Sequence, residues 1–431
     1  MSYSGYIDTY YADTLGREKT YPTLTGQLNV DVCVVGGGFA GLNTALSLAE
    51  RGKRVVVLES KRIGWGSSGR NAGFVAKGYA ADEDYLLKKL GLEKARQIIT
   101  LTQNARGLIR KRIDGYNIDC GPVIAGVMTA SWRDNDAELK DYVKKSNDNF
   151  NTGFEFWPRD KVREHCKTDK YYGAVYSDAD YQFHPLRYVH GLAAALESKT
   201  GRVFENSPVL KIVKNGTKNG SGWVAETKNG SVRCEHIVLA GSVYIDDLDK
   251  KLKNASFPVQ TYIMVTKPMD DAALAGSINT RHAISDMRFC SDYYRRLDGG
   301  RVLWGGRVAL WSKPKDIAGM MLDDMHKVYP QLKGVAEPEY SWAGLLAYAP
   351  HKMPQLGQIE PGYWYATGFG GHGISPTTVA GEVIASAIAG GDDTYKAFEP
   401  FGLGYAGGKM GRYVAQLVYW WWRARDHISV G

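Results

Sequence analysis

Residues 31–42, DVCVVGGGFAGL, carry glycines at positions 36, 38 and 41, the spacing G-x-G-x-x-G, directly after a short apolar run. Gly36 allows the tight turn off a strand, Gly38 lets the backbone approach a pyrophosphate, and Gly41 lets a helix pack closely on the strand. An anion then lies at the helix N-terminus, where backbone N–H groups and the helix dipole favour negative charge. The segment therefore predicts the first turn of a dinucleotide-binding unit.

The residues that follow extend the same unit. Apolar residues at positions 42, 45, 46 and 49 have the spacing of one buried helix face, and Gly52 suits the end of that helix. A second apolar strand, residues 54–58, ends at Glu59. A carboxylate at this position accepts hydrogen bonds from ribose hydroxyls and argues against a dinucleotide that carries a 2′-phosphate.

The composition is that of a globular protein, with 44% hydrophobic and 23% charged residues, and 431 residues are enough for two domains. The net charge of +8 favours either plain solubility or attraction of an anionic cofactor or substrate. Nucleic-acid binding is not expected, because Lys and Arg are spread along the chain. Residues 1–27 lack the apolar core of a secretory signal, and no run reaches the ~18 apolar residues of a membrane span.

The cysteines argue for a reducing cytoplasm and against a zinc site, because the five of them are scattered without a C-x-x-C pair. They are Cys33, Cys120, Cys166, Cys234 and Cys290. The His and acidic residues show no ligand spacing either, so no metal is expected.

A second glycine cluster, residues 366–376 (ATGFGGHGISP), precedes an apolar helix pattern over 377–389. A glycine-rich loop that enters a helix N-terminus is a second site for an anion or a dipole. A nicotinamide dinucleotide seldom needs two such loops, whereas a flavin dinucleotide needs one for its pyrophosphate and one for its ring. The alternative is a tight helix start that is built from small residues.

Between the two clusters, periodicity and turn residues predict further elements. Helices are expected over 92–112, 134–150 and 184–196, strands over 203–213, 223–227 and 234–241, a hairpin tip over 215–222, and a separate sheet over 257–311.

Four segments then resemble one family. Residues 64–73 (GWGSSGRNAG), 341–350 (SWAGLLAYAP), 353–357 (MPQLG) and 368–374 (GFGGHGI) are similar to motifs of the D-amino-acid-oxidase-like flavoproteins, within them the gamma-glutamylputrescine oxidase and glycine/sarcosine oxidase-like group. The resemblance implies an α+β/α/β fold, with a Rossmann-like FAD-binding domain that is split along the chain and a second, antiparallel-sheet substrate domain. The expected limits are 29–85, 155–250 and 341–431 for the first domain, 86–154 and 251–340 for the second, and 1–28 for an N-terminal arm.

The resemblance also implies which residues hold FAD. The pyrophosphate would lie on the first glycine loop, the adenosine ribose on Glu59 and the adenine on the backbone of Val209, with the pyrimidine end of the flavin at the second glycine loop. The full set of expected FAD residues is Gly36, Gly38, Phe39, Ala40, Gly41, Glu59, Ser60, Gly66, Ser67, Ser68, Arg70, Asn71, Val209, Ala240, Gly241, Gly370, Gly371, His372, Gly373 and Ile374.

Two positions depart from the family pattern. Some relatives attach FAD through a Cys in the segment that corresponds to 343–349, but this chain has none there, so FAD is expected to be non-covalent. Relatives often carry Asp where His351 stands. That change alters a charge beside the expected ring edge and weakens any direct transfer of a relative's substrate.

The reaction implied by the resemblance is oxidation of the C–N bond of a primary or secondary amine or amino acid. The imine then hydrolyses, and oxygen is reduced to hydrogen peroxide. One alternative is a flavin dehydrogenase of the same fold that uses a quinone or protein acceptor. A second is a flavin-bound protein without catalytic activity.

Five residues are candidates for substrate contact. Arg307 resembles a strand position that faces the ring, where a guanidinium would bind a substrate carboxylate with two hydrogen bonds; the alternative is a structural salt bridge. Tyr262, Tyr293 and Tyr348 would form an aromatic wall, or would pack as ordinary core residues. His351 is either a polar contact in the site or a solvated loop residue.

Residues 412–423 (RYVAQLVYWWWR) form an amphipathic helix pattern. Arg412, Gln416, Tyr419 and Arg423 share one face, and Val414, Leu417, Val418 and Trp421 share another. Such a helix either docks on its own domain or lies at a membrane surface.

Overall fold

The structure of the protein, a computed structural model, describes residues 5–16, 19–217, 220–310 and 314–430. Two sheets organise these residues. The first sheet has a parallel centre in the order β17-β10-β1-β2-β7, to which β16 is added antiparallel at one edge. Its strands are β1 (Gly26–Val35), β2 (Val55–Leu58), β7 (Arg202–Phe204), β8 (Lys211–Thr217), β9 (Gly220–Glu226), β10 (Gly230–Leu239), β16 (Gln355–Glu360) and β17 (Tyr363–Thr367).

The second sheet is mainly antiparallel and runs in the order β15-β11-β14-β13-β12-β4-β6-β3, with β5 paired to β6. Its strands are β3 (Phe74–Val75), β4 (Ile124–Ala130), β5 (Glu155–Trp157), β6 (Ala174–Gln182), β11 (Phe257–Thr266), β12 (Ala283–Asp286), β13 (Asp292–Leu297), β14 (Arg301–Ala309) and β15 (Pro338–Tyr348). The separate sheet expected over 257–311 is therefore present, and the predicted fold class is confirmed.

Twelve α-helices lie among the described residues. They are α1 (Tyr10–Asp13), α2 (Phe39–Glu50), α3 (Glu83–Leu90), α4 (Leu92–Gly115), α5 (Asp136–Phe150), α6 (Arg159–His165), α7 (Pro185–Ser198), α8 (Lys250–Asn254), α9 (Asp271–Ala275), α10 (Ile317–Val328), α11 (Ile374–Gly390) and α12 (Gly408–Val430). None of the helices in these ranges is long and apolar enough to cross a membrane.

Two sequence expectations need correction in detail. The single strand expected over 203–213 is two strands, β7 and β8, because the chain turns between them at Asn206, which has a positive φ of 49°. The helix expected from residue 377 begins three residues earlier, at Ile374, because Gly373 already serves as its N-cap. The tip of the hairpin expected over 215–222 includes residues 218–219, which lie outside the described residues.

The domain limits expected from the sequence stay a prediction, and sheet membership bears on them. The strands β5, β6 and β15 belong to the second sheet, although residues 155–182 and 341–348 were assigned to the FAD-binding domain. The chain therefore enters the second sheet between the two glycine clusters and again just before the second one.

The first sheet is covered on one face by α2 and α11, which approach each other closely. A Cβ at Gly381 would lie 2.7 Å from the backbone of Asn43, so only glycine allows this contact. The second sheet has two different faces. Tyr262, Met264 and Trp304 pack toward α10, whereas Ile263 and Leu303 pack on the opposite face toward α1. Ala72 and Leu186 also pack on this opposite face.

All five cysteines are buried and free of disulfide bonds. Within the described ranges, no group of three or more His, Cys, Asp or Glu residues could hold a metal ion.

Candidate functional site

The first glycine loop is crowded by its own backbone. Gly36 has a positive φ of 113°, and a Cβ there would lie 2.8 Å from the carbonyl oxygen of Ala240. A Cβ at Gly41 would lie 1.9 Å from the carbonyl oxygen of Gly36, and one at Gly38 would lie 2.8 Å from Oγ of Ser68. These contacts leave no room for side chains on the loop itself, and the N-cap of α2, Gly38, supplies no side-chain hydrogen bond of its own.

Glu59 follows β2 and lies beside this loop. One carboxylate oxygen accepts a hydrogen bond from the Gly37 amide at 2.7 Å, and the other accepts one from the Lys61 amide at 2.8 Å. The Ser60 hydroxyl donates to the same carboxylate at 3.2 Å. Burial raises the pKa of the Glu59 carboxyl, and the backbone hydrogen bonds oppose that shift. Glu59 therefore stabilises the turn of the loop through these hydrogen bonds. It also occupies the position at which a ribose is expected.

The segment 66–73 lies across the N-terminus of α2. Oγ of Ser68 accepts a hydrogen bond from the Phe39 amide at 2.9 Å. The Asn71 side chain donates to the carbonyls of Ser67 and Ser68 at 3.0 and 2.9 Å and accepts from the Gly73 amide at 2.8 Å. Asn71 therefore shapes this segment through contacts with the segment's own backbone.

Arg70 is the residue of this segment whose hydrogen bonding is incomplete. Its guanidinium stacks on Trp65 at 4.2 Å, and Nη1 donates to the carbonyl of Ala343 at 3.5 Å. Nη2 is buried and has no hydrogen-bond partner among the described residues. Burial lowers the pKa of this guanidinium. A buried cation without an anionic partner is costly, so this position favours an anionic ligand.

The remaining residues expected on the adenosine side lie around the same loop. The amide of Ala240 donates to the carbonyl of Val35 at 2.8 Å, which places Ala240 and Gly241 against Gly36. Val209 packs at the edge of the core cluster that contains Leu58, the residue before Glu59. The first loop, Glu59 and these residues are therefore brought together.

Sequence reasoning missed two aromatic residues here. The rings of Trp65 and Tyr244 meet edge to face at 5.6 Å, and the Tyr244 ring would lie 3.1 Å from a Cβ at Gly66. Tyr244 follows the small residues at the end of β10. Its place directly after this strand was the sequence feature that could have indicated a position near the first glycine loop.

The second glycine loop is less crowded than the first. The Gly370 amide donates to the carbonyl of Ala347 at 2.9 Å, and a Cβ at Gly370 would lie 3.1 Å from the Tyr348 ring. A Cβ at Gly371 or Gly373, in contrast, would meet nothing within 4 Å. This loop therefore leaves space where the first loop leaves none.

The start of α11 is similarly open. Its N-cap, Gly373, offers no side-chain hydrogen bond, and Oγ of Ser375 in its first turn is buried without a partner among the described residues. His372 lies close to the carbonyl of Ala76, with Nε2 at 3.3 Å, and burial lowers the pKa of its imidazole. A neutral His372 that touches a backbone carbonyl fits a loop residue better than a general base.

Strand β15 joins the two loops. Near its start, Nε1 of Trp342 donates to the carbonyl of Arg70 at 3.0 Å, and near its end Ala347 accepts from Gly370. Leu345 and Leu346 between these contacts are only half-buried. The cleft between the first loop, the second loop and β15 is the candidate site.

Tyr293 and Tyr348 lie at this cleft. The Tyr293 ring meets Phe74 edge to face at 6.2 Å and would overlap a Cβ at Gly305, which lies on the neighbouring strand. Its hydroxyl is 3.3 Å from Oγ1 of Thr261. Tyr348 contacts Gly370, as described above. These two tyrosines fit the expected aromatic wall.

Tyr262 and Arg307 lie on the other side of the second sheet. Tyr262 packs in the cluster beneath α10. Arg307 has a positive φ of 56° at a bulge of β14, and its Nη2 lies 2.5 Å from Oδ1 of Asp324 on α10. Nη1 lies 3.4 Å from Oδ1 of Asp292. Arg307 therefore forms a structural salt bridge, which was the alternative to substrate binding in the sequence analysis. These contacts do not support a role for Arg307 in binding a substrate carboxylate.

His351 lies at the rim. Its Nδ1 accepts a hydrogen bond from the Met353 amide at 3.2 Å, and its ring lies 5.6 Å from Phe401. Burial lowers the pKa of this imidazole, and Nε2 is buried without a partner among the described residues.

A flavin dinucleotide fits these features. The start of α2 has Ser68 Oγ as its side-chain acceptor, and the start of α11 has no side-chain cap. Arg70 keeps an unpartnered Nη2, and open space borders the second loop. An anion fits the first terminus, and a polar ring edge that gains negative charge fits the second.

Comparison with known proteins identifies the class. Residues 31–387 match the family model described as FAD dependent oxidoreductase. The chain is 33% identical over 404 residues to a probable oxidoreductase, OrdL, of Haemophilus influenzae, covering 93% of this chain and 92% of that protein. It is 32% identical over 399 residues to gamma-glutamylputrescine oxidoreductase of Escherichia coli, covering 91% of each.

Solved structures show the same fold. Glycine oxidase from Geobacillus kaustophilus has a TM-score of 0.72 at 21% identity, covering 88% of this chain and 99% of that one. The chain belongs to the FAD dependent oxidoreductase family. It is an FAD-dependent oxidoreductase of the amine or amino-acid type, and FAD is its cofactor.

Proposed function

We propose that this chain oxidises the C–N bond of a small amine or amino acid that carries a carboxylate, with non-covalent FAD and with oxygen as the electron acceptor. The observation that carries the proposal is what β15 joins: Arg70, with its unpartnered Nη2, on one side and the uncapped start of α11 with its glycine loop on the other. The similarity to gamma-glutamylputrescine oxidoreductase supports an amine substrate.

The expected FAD residues divide into two groups in this proposal. The first loop, Glu59, Arg70 and Val209 hold the adenosine and pyrophosphate half, and the second loop with the start of α11 holds the ring. Attachment is non-covalent, because β15 contains no cysteine at any of its 11 positions. Cys290 lies beside Arg307 on the far side of the second sheet, where its carbonyl accepts a hydrogen bond from that guanidinium.

The bound FAD supplies a two-electron acceptor for the substrate. Overall, the amine loses two electrons and two protons to become an imine, oxygen takes them up as hydrogen peroxide, and water then converts the imine to a carbonyl compound and an amine or ammonia. The protein's own part is to position the C–H bond and to exclude bulk water. The half-buried Leu346 and the rings of Tyr293 and Tyr348 provide the apolar surface for this task.

A carboxylate on the substrate is supported by the net charge of +8. Arg307 is not assigned to it here, because two aspartates already bind its guanidinium. We also propose a cytoplasmic location, which the five free, buried cysteines support.

The test is a substrate panel under anaerobic conditions, read as loss of the flavin absorption bands, followed by admission of air. We expect N-substituted glycines, cyclic amino acids or gamma-glutamyl amines to bleach the flavin, and air to restore the colour with formation of hydrogen peroxide. Bleaching by alcohols or thiols but by no amine would overturn the C–N assignment. If a quinone restores the flavin colour and air does not, the electron acceptor is a quinone and not oxygen.

The mode of attachment has its own readout. Acid precipitation of the yellow protein should release FAD into the supernatant. Flavin that stays with the polypeptide would contradict non-covalent binding, and a colourless protein that takes up no FAD would remove the basis of the proposal.

A further inference from the structure

The helix α12 is docked with its polar side inward. Oε1 of Gln416 accepts from the Leu310 amide at 3.1 Å, and the Tyr419 hydroxyl accepts from the Val308 amide at 3.2 Å. Arg412 donates to the carbonyl of Leu310. The Asp426 carboxylate accepts from the amides of Phe289 and Cys290 at 3.1 and 2.8 Å.

The apolar side of α12 faces outward as a result. A surface helix ordinarily turns its apolar stripe to the core, so this arrangement is the reverse of the usual one. Tyr413 is 51% exposed, and four apolar side chains are more exposed still: Met410 at 71%, Val414 at 57%, Leu417 at 58% and Trp421 at 62%. With the exposed Val418 and Trp420, these four follow helical spacing along one stripe. We call these six residues the outer stripe.

Exposed charge beside the outer stripe is basic. Lys409 is exposed near the start of the helix, and Arg423 is exposed at the edge of the inward face that carries Gln416 and Tyr419. Arg425 is also exposed and lies over the Phe289 ring. The acidic side chain described on α12, Asp426, is turned inward to the amides of Phe289 and Cys290.

We propose that the outer stripe binds the surface of an anionic phospholipid membrane. Tryptophan and aliphatic side chains on one face, with basic residues at its edges, are what a helix needs to lie in the interface between headgroups and acyl chains. The flanking cations then meet lipid phosphates. A second copy of this chain is a poorer occupant, because pairing two outer stripes brings basic flanks together without acidic partners.

The inference is independent of the substrate and of the electron acceptor. The test is sedimentation of the FAD-loaded protein with vesicles of phosphatidylcholine alone and with added phosphatidylglycerol. We expect binding to the anionic vesicles that weakens as salt is raised, because salt screens exposed charges. Leu417→Gln combined with Trp421→Gln should weaken this binding by about tenfold or more, because two apolar contacts with lipid are lost.

Two further variants separate the contributions. Leu210→Gln combined with Val335→Gln changes two exposed apolar residues outside α12 and should leave vesicle binding unchanged. Lys409→Gln combined with Arg423→Gln should remove most of the preference for anionic vesicles. The flavin absorption spectrum reports that each variant is folded.

Several outcomes would overturn the inference. One is the absence of binding to anionic vesicles at low salt. Another is equal loss of binding in the Leu210 and Val335 variant, which would show non-specific adsorption. A third is a concentration-dependent dimer in sedimentation velocity that the Leu417 and Trp421 variant abolishes, without vesicle binding by either protein; the occupant would then be a second copy.

Discussion

The two glycine loops have similar spacing and opposite surroundings. In the first loop, an added Cβ at Gly41 would lie 1.9 Å from a backbone oxygen, so the chain's own packing requires that glycine. In the second loop, an added Cβ at Gly373 would meet nothing within 4 Å. Packing within the fold therefore explains why residue 41 is glycine, but it does not explain why residue 373 is glycine.

The two arginines repeat this difference. Arg307 forms ion pairs with two aspartates, although its Nε has no partner among the described residues. Arg70 keeps a buried Nη2 without a partner there, and its described contacts are an aromatic ring and a backbone carbonyl. A position that the protein satisfies by itself serves stability. A position that it leaves unsatisfied or empty serves a ligand, and single substitutions can separate the two kinds of position.

The largest effect is expected at Arg307. Arg307→Met should lower the free energy of unfolding by about 3 kcal/mol, the lower end for a broken buried ion pair. The buried Asp292 and Asp324 carboxylates lose their shared cation and keep only Arg288 and Lys327. Denaturant unfolding measures this, and KM of the folded fraction should stay at the wild-type value. A raised KM with unchanged stability would return Arg307 to the substrate site.

Arg70→Met is the matched control for that experiment. It removes a cation that the protein does not pair, so it should weaken FAD binding and leave the stability of the FAD-free protein close to that of the wild type. Equal stability losses in both variants would erase the distinction between the two arginines.

The next effect is expected at Gly41. Gly41→Ala should cost about 3 kcal/mol of unfolding free energy even without FAD, because its methyl group would meet backbone that cannot move aside. Gly107→Ala is the control, since a Cβ there, in α4, would meet nothing within 4 Å. Comparable thermal unfolding of the two FAD-free variants would show that the first loop is looser than these contacts indicate.

Glu59→Ala should weaken FAD binding by about 1.5–3 kcal/mol, the value of hydrogen bonds to a charged group. The same change frees the amides of Gly37 and Lys61, so Glu59→Gln, which keeps an acceptor for one of them, should lose less. Titration of FAD into the FAD-free protein measures both. Wild-type affinity in Glu59→Ala would exclude this carboxylate as a ribose acceptor.

The smallest effect is expected at Gly373. Gly373→Ala should leave the FAD-free protein as stable as the wild type and weaken FAD binding by about tenfold, roughly 1.4 kcal/mol, because its methyl group occupies space kept for the ring. Thermal unfolding and FAD titration together test this. Unchanged affinity would mean that the open space is solvent and not cofactor.

The sequence correctly predicted those features that depend only on residues nearby in the chain. The glycine spacing, Glu59 at the end of β2 and the glycine start of α11 depend on neighbours within a few residues, and the structure has each of them where it was expected. Which of these residues touch FAD stays a prediction. The partners of Arg307 lie 15 and 17 residues away, on β13 and α10, and a bulge decides which side of the sheet it faces. A period-two pattern carries no information about such a bulge.

The helix α12 shows a second limit of sequence reasoning. Periodicity separated its two faces correctly, as Gln416 and Tyr419 on one side and Leu417 and Trp421 on the other. It could not tell which face is turned inward, because that depends on the open backbone amides of Val308 and Leu310 on a distant part of the chain.

The buried cysteines have a consequence for the proposed reaction, in which hydrogen peroxide forms beside the protein's own side chains. Peroxide damages thiols according to their exposure and their thiolate fraction. Burial raises the pKa of Cys120, Cys166 and Cys290 to about 11, so these thiols stay protonated as well as shielded. With oxygen as the acceptor, oxidation of the protein by its own product is therefore expected to begin at the exposed Met410 and to spare the thiols.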